Sequence, residues 1–362
     1  MHRRLSICAI ALVSLLVACG PKYLAGLPPT ETPFSPSIAA TQTPTLKPAS
    51  TESTFMLGLE IIQAGNWTRL QLLKTFPAEM PLNHSAIAIS ADGKTMAIGS
   101  SSAADILFYD LANGQSRWVF INGVSNVNAY FNTLEYLPDG TLMANSDSPY
   151  AIYHIETAGS VLSRWDGIGF ALSADKRIMA HHTDEGIALV EIANSTSLLA
   201  LDDVDAMAFS FSPDGSKIAA EDVGVDYIRT VLWDVPNQTI LSTLDETANA
   251  RFSPNGKFLA VTSYEGNASP LKIFSPDGAT QYATLSVSDP NSLNGQPPLW
   301  SLDGSIIAAQ IGNGSPVAWD TVNWQPLEMP ALQGQLYSFS PDGRILITRT
   351  DDGAILLWGI LP

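Results

Sequence analysis

From about residue 56 onward the chain alternates short apolar runs, β-branched and aromatic in character, with tight polar corners of Gly, Asn and Asp. Short apolar runs bounded by turn residues predict β-strands. The runs come in fours. A first run ("AIAIS", "LEYL", "FALS", "MAFSFS") leads into a corner, and a second ("TMAIGS", "TLMANS", "RIMAHH", "KIAAED") leaves it. A third often ends in an aromatic ("ILFYD", "TVLWD", "PVAWD"), and a fourth, such as "SRWVFI" or "TILSTL", closes the group.

The corner between first and second runs is nearly constant: "SADGK" at 90, "LPDGT" at 137, "SADKR" at 173, "SPDGS" at 212, "SPNGK" at 253, "SLDGS" at 301 and "SPDGR" at 340. Proline presets φ for the first central position, Asp bonds its own backbone, and glycine accepts the positive φ of a tight reversal. An eighth copy, "FSPDG" at 274–278, falls half a period out of phase and joins a third run to a fourth. The pentapeptide is therefore turn chemistry, usable in two different hairpins, and carries no catalytic signal.

The corners recur every 36 to 48 residues, the beat of a four-stranded propeller blade. Seven such units fill residues 56–362, so the expected fold is all-β: a seven-bladed β-propeller. The "FSPDG…WD" repeats resemble those of WD-repeat β-propellers, with Trp233-Asp234 and Trp319-Asp320 matching the signature dipeptide and Tyr109-Asp110 and Trp358-Gly359 close to it. The resemblance covers essentially everything after residue 55. The family's Gly-His dipeptide is missing from every unit, so aliphatic packing between blades is expected to hold the ring, with the tryptophans covering the space between blades. The seventh unit stops after its third run, while "NWTRLQLLKTF" at 66–76 alternates without a blade of its own. It is assigned as the missing outer strand, because an open ring would leave an unpaired edge.

Residues 1–18 read as a signal peptide: Arg3 and Arg4, then an apolar run from Leu5 to Val17 that spans roughly 20 Å, short of the roughly 30 Å of a bilayer core. Leu16-Val17-Ala18-Cys19 resembles the bacterial lipobox, which implies cleavage before Cys19 and its lipidation, and several acyl chains anchor stably. Residues 19–55 then form a Pro/Thr/Ser-rich tether without apolar periodicity, expected to be disordered. The two cysteines are Cys8 and Cys19, so the mature chain is left without a disulfide or a cysteine metal site.

The net charge is −17, and the chain is more acidic still once Arg3 and Arg4 leave. Such a surface repels phosphate backbones, which argues against nucleic acid as a partner. The chain carries no nucleophile elbow, zincin motif, P-loop or dinucleotide fingerprint, and the reading is of a protein without catalytic residues or cofactor. In "HHTDEG", His181, His182, Asp184 and Glu185 offer nitrogen and oxygen ligands for a metal, although neighbours along a strand point to opposite faces. "LDDVDA" at 201–206 is a weaker candidate for calcium. Tyr130, Phe131, Tyr150, Tyr227 and Tyr264 fall in rim loops, where exposed aromatics form recognition patches. The expected protein is a monomeric, lipid-anchored, extracytoplasmic binding or scaffolding module of a bacterial envelope, taking a protein, peptide or glycan. Alternatives are an envelope hydrolase or lyase using rim carboxylates or the His cluster, and an envelope assembly factor.

Overall fold

The computed structural model describes residues 58–362, apart from 78–85, 101–103, 123, 125–129, 148, 185, 202–205, 265–269, 286–296 and 311–315. Cys19, the tether and Glu185 therefore lie outside the described residues, as does most of the 201–206 stretch. Seven antiparallel sheets stand in a ring, as the corner spacing predicts. Blade 1 is built from Ile87–Ile89, Thr95–Gly99, Asp105–Asp110 and Ser116–Phe120. Blade 2 runs from Phe131–Tyr136 to Val161–Asp166, and blade 3 from Ile168–Leu172 to Thr196–Leu201. Blade 4 runs from Ala206–Phe211 to Thr239–Asp245, and blade 5 from Thr247–Phe252 to Gln281–Leu285. First strands adjoin from blade to blade, so they surround the axis and the fourth strands form the rim of the disc.

Blades 6 and 7 depart from the simple pattern, each for a visible reason. Blade 6 has three strands among the described residues, ending at Pro316–Asp320. Where a fourth would pair, a single bridge joins Trp319 to Pro326, and Leu327 N–H reaches the Ala318 carbonyl at 2.8 Å. Pro326 and Pro330 lack the N–H that a continuing ladder needs.

Blade 7 takes its outer strand from the other end of the chain. Gln71–Phe76 pairs antiparallel with Ile355–Gly359, from Gln71 opposite Gly359 to Phe76 opposite Ile355. The expected closure holds, but the strand starts at Gln71; Ala64–Arg69 is a 3₁₀ helix. Trp67 and Leu70 are three residues apart, the period of that helix, and both bury between blades 6 and 7 beside Ile62, Leu346 and Trp358. Asn66 Oδ1 caps the turn by accepting the Gln63 N–H at 2.9 Å. The chain ahead of it is tied down too: Glu60 N–H to the Ile360 carbonyl at 3.0 Å, and Ile62 N–H to the Gly343 carbonyl at 2.9 Å.

The core is seven separate apolar clusters, each between two neighbouring blades. Ile98, Leu107 and Tyr109 of blade 1 meet Ile345 and Leu357 of blade 7. Ala97 and Phe108, on the opposite face of blade 1, meet Phe131, Leu142 and Tyr153 of blade 2. Trp233, Trp319 and Trp358 each join one of these clusters, and Trp358 Nε1–H donates to Thr348 Oγ1 at 2.8 Å. Both faces of each blade are apolar, so a blade buries them only with a neighbour on each side. That requirement is why the ring must close.

Candidate functional site

Antiparallel order sorts the connections onto two faces. The first-to-second and third-to-fourth turns share one, here the turn face; the second-to-third turns and the blade-to-blade links share the other, the link face. The turn face is rigid by construction. In blade 4, Ser212 Oγ donates to Asp214 Oδ1 at 2.6 Å and accepts the Lys217 N–H at 2.9 Å, while Asp214 Oδ1 also accepts the Ser216 N–H at 3.0 Å. Gly215 closes the turn at φ +70°. The same serine-centred knot recurs at Ser90, Ser173, Ser253, Ser275, Ser301 and Ser340. The seryl hydroxyl holds the carboxyls of Asp92, Asp175 and Asp277 below the usual carboxylate range, and that of Asp214 down to about 2. Only an acceptor is required, so Asn255 fills the same place in blade 5, taking the Ser253 hydroxyl at 2.8 Å.

Blade 3 breaks the pattern. Lys176 occupies the left-handed position, φ +59°, that glycine holds at the other corners. Its ammonium pairs with the Glu135 carboxylate of blade 2. Burial pulls the ammonium down to about 8, a pull the adjacent carboxylate opposes.

Around this lysine the turn face is concave. A cavity of about 380 Å³ opens at the channel mouth, walled by Ile87, Ile89, Leu134, Lys176 and Phe339. A cleft of about 370 Å³ lies between blades 1 and 2, with Asp92, Phe108, Arg117, Tyr136 and Thr157 on its walls. A third, of about 240 Å³, lies between blades 2 and 3, beside His154, Lys176, Arg177 and Glu191. Pro138 lines all three, so they meet at the first corner of blade 2. In the third, His154 Nε2 sits 2.7 Å from Thr141 Oγ1, whose hydroxyl donates to Asp139 Oδ1 at 2.6 Å. Burial, against the pull of Asp139, lowers the His154 pKa.

The sequence-predicted residues lie elsewhere, on or near the link face. His181 is 4% exposed, between Phe170 and Ala188 across the sheet, with Nδ1 3.2 Å from the His182 carbonyl oxygen; burial lowers its pKa. His182 is half-buried on the opposite side of the strand and Asp184 is exposed. Among the described residues no three His, Cys, Asp or Glu gather where they could hold one ion, and Glu185 is outside those residues. Phe131 corrects the rim expectation: at 0% exposure it opens the first strand of blade 2 and packs in the core beside Tyr153. Tyr130 next to it is half-buried. Tyr150, Tyr227 and Tyr264 are exposed as expected, but they belong to blades 2, 4 and 5. Tyr227 lies under the Arg229 guanidinium, 4.7 Å from its ring, and Arg229 pairs with buried Asp222 at 2.6 Å. Tyr264 OH accepts from Asn249 Nδ2 at 3.3 Å.

The sequence matches no protein-family model and no curated protein. Among solved structures 1340 chains match, a breadth typical of a fold that hosts many unrelated functions. One is the Kuenenia stuttgartiensis hydrazine synthase, similar over 78% of this chain and 96% of that one at 16% identity, with a TM-score of 0.61. At that identity the likeness shows the fold alone: the chain is a seven-bladed β-propeller.

Proposed function

We propose that this propeller is a non-catalytic binding module, held outside a bacterial cell membrane by lipid on Cys19 and a flexible tether, that takes a peptide segment of a partner protein on its turn face. The WD-repeat-like corners fit a scaffold whose variation lies in what its faces present. The observation that carries the reading is the meeting of three concavities at Pro138, two of them sharing Tyr136 and two sharing Lys176. Together they offer apolar walls with a few fixed polar groups, the composition of a recognition groove. Of the carboxylates around these concavities, Asp92, Asp139 and Asp175 are tied into turns and Glu135 and Glu191 into ion pairs with lysine and arginine, which favours binding over hydrolysis.

Peptides selected from a random library on the intact mature protein test the reading. Pro138 is exposed, and Pro138→Arg places a bulky charge at the shared corner without touching the core. Selected peptides should lose at least about tenfold in affinity on that variant, one buried contact's worth. A library that yields no binder, or binders indifferent to Pro138→Arg, overturns it. Anchoring has its own check: labelled palmitate should enter the parent protein and not Cys19→Ser.

A further inference from the structure

Arg117 is the odd one among the cations that line the three concavities. Arg177 has Glu191 at 3.2 Å, and Lys176 has Glu135. Among the described residues Arg117 has no carboxylate partner, in a chain whose acids outnumber its bases by 35 to 18. It is nevertheless held in place. Its guanidinium lies 4.8 Å from the centre of the Phe108 ring, and Nη2–H donates to the Thr157 carbonyl at 3.1 Å. Arg117 lines the 370 Å³ cleft between blades 1 and 2, and the Thr157 bond uses one of its N–H groups.

A second, independent feature sits in the same cleft. Tyr136 is 7% exposed and its buried hydroxyl has no hydrogen-bond partner. Its side chain packs in the apolar cluster between blades 1 and 2 with Phe108, and both residues line that cleft. Buried polar groups are almost always bonded, and an unbonded phenol calls for an explanation.

The acids of the cleft do not supply one. Asp92 accepts from Ser90 Oγ at 2.7 Å and from the Lys94 N–H at 3.1 Å, and faces the Lys94 ammonium. Asp139 accepts from the Thr141 N–H and hydroxyl at 3.0 and 2.6 Å. What remains uncommitted is a set of donors: a planar fork and a phenol O–H. That set matches a carboxylate, which a guanidinium grips through both oxygens.

We propose that this cleft reads one carboxylate on the bound peptide, with Arg117 as the fork and Tyr136 O–H as a third donor. This rests on the peptide-binding reading above. The acidic surface around it disfavours a polyacidic ligand, so the partner is an otherwise neutral or basic segment carrying a single Asp, Glu or C-terminal carboxylate.

Peptides selected on the intact mature protein provide the test, each compared with a copy in which the acid is replaced by its amide. Selected sequences should share one acidic position, and the amide copy should bind about 30-fold more weakly, the scale of a lost bidentate charge pair. On Arg117→Ala the acid and amide copies should bind alike, and Arg117→Lys should recover part of the difference. Tyr136→Phe, which keeps the ring, should cost about threefold, a smaller loss as befits one neutral donor. Peptides that Pro138→Arg blocks but that bind equally as acid or amide would sink the carboxylate inference and leave the binding reading standing. If no peptide answers to Pro138→Arg, both fall.

Discussion

The two faces of the ring are built from the same strands by different rules. On the turn face most first-to-second corners are short hairpins whose serine, acid or amide, and glycine satisfy one another, as at Ser212, Asp214 and Gly215. On the link face, among the described residues, a knot of this kind is formed by Thr350, Asp352 and Gly353 in blade 7, while other polar groups find individual solutions, such as Asp222 with Arg229 and Tyr227. A repeated, locally satisfied face is a rigid platform on which a single deviation stands out. Here the deviations cluster: Lys176 in place of glycine and Leu137 in place of the seryl anchor line the same concavity, beside the cleft that Arg117 lines. Function is read from where the repeat is broken.

The largest test removes the support that both faces share. Deleting residues 59–76 takes away the outer strand of blade 7 and the Trp67 anchor together, so cooperative thermal unfolding should be lost on both faces at once. A deletion that melts like the parent would refute closure by this segment. Trp67→Ala alone should cost about 3–5 kcal/mol in a denaturant titration, as for other fully buried large side chains.

Next in size are changes that separate the faces. Ser253 is wholly buried and its hydroxyl ties Asn255 to the Phe258 N–H, so Ser253→Ala should cost about 1–3 kcal/mol, leaving the Phe258 N–H of the turn face unsatisfied. Tyr264→Phe on the link face should stay within about 0.5 kcal/mol. Equal losses would remove the distinction between the two faces.

The smallest effect is in pH. The knotted carboxyls are depressed in the folded state, so as pH falls the unfolded chain takes up protons first, near the ordinary aspartate value of about 4. Their contribution is complete above that value and drains away down to about 2, where Asp214 itself titrates. Stability should therefore decline across that acid window. Ser212→Ala returns the Asp214 carboxyl toward its ordinary range, and the decline should become shallower.

Much of the architecture was legible from the corners because their chemistry is local: Asp and Gly at fixed spacing announce a reversal wherever they occur. The closing strand was legible for a global reason, an unpaired edge needing a partner. The 3₁₀ turn was present as a weaker signal, Trp67 and Leu70 three apart instead of two or four, and Pro326 and Pro330 already marked blade 6 as unable to extend a fourth ladder. The serine of each corner was visible but its role was not, because it reaches across the hairpin to an N–H five residues on. The cleft was out of reach. Arg117 and Tyr136 belong to different repeats, and nothing in either stretch says that one packs across from the other. Phe131 misled for a related reason: it follows a link, but the strand begins with it and turns its ring into the core.

The central claim is that ligand lands on the turn face at the first corner of blade 2. Hydrogen–deuterium exchange of the intact protein, with and without a selected peptide, locates the contact directly. The account predicts slowed exchange at 136–141 and at 174–177, with the link-face strand ends around Tyr227 and Tyr264 unchanged. Protection confined to those link-face positions, with the blade 2 corner exchanging as before, would contradict it.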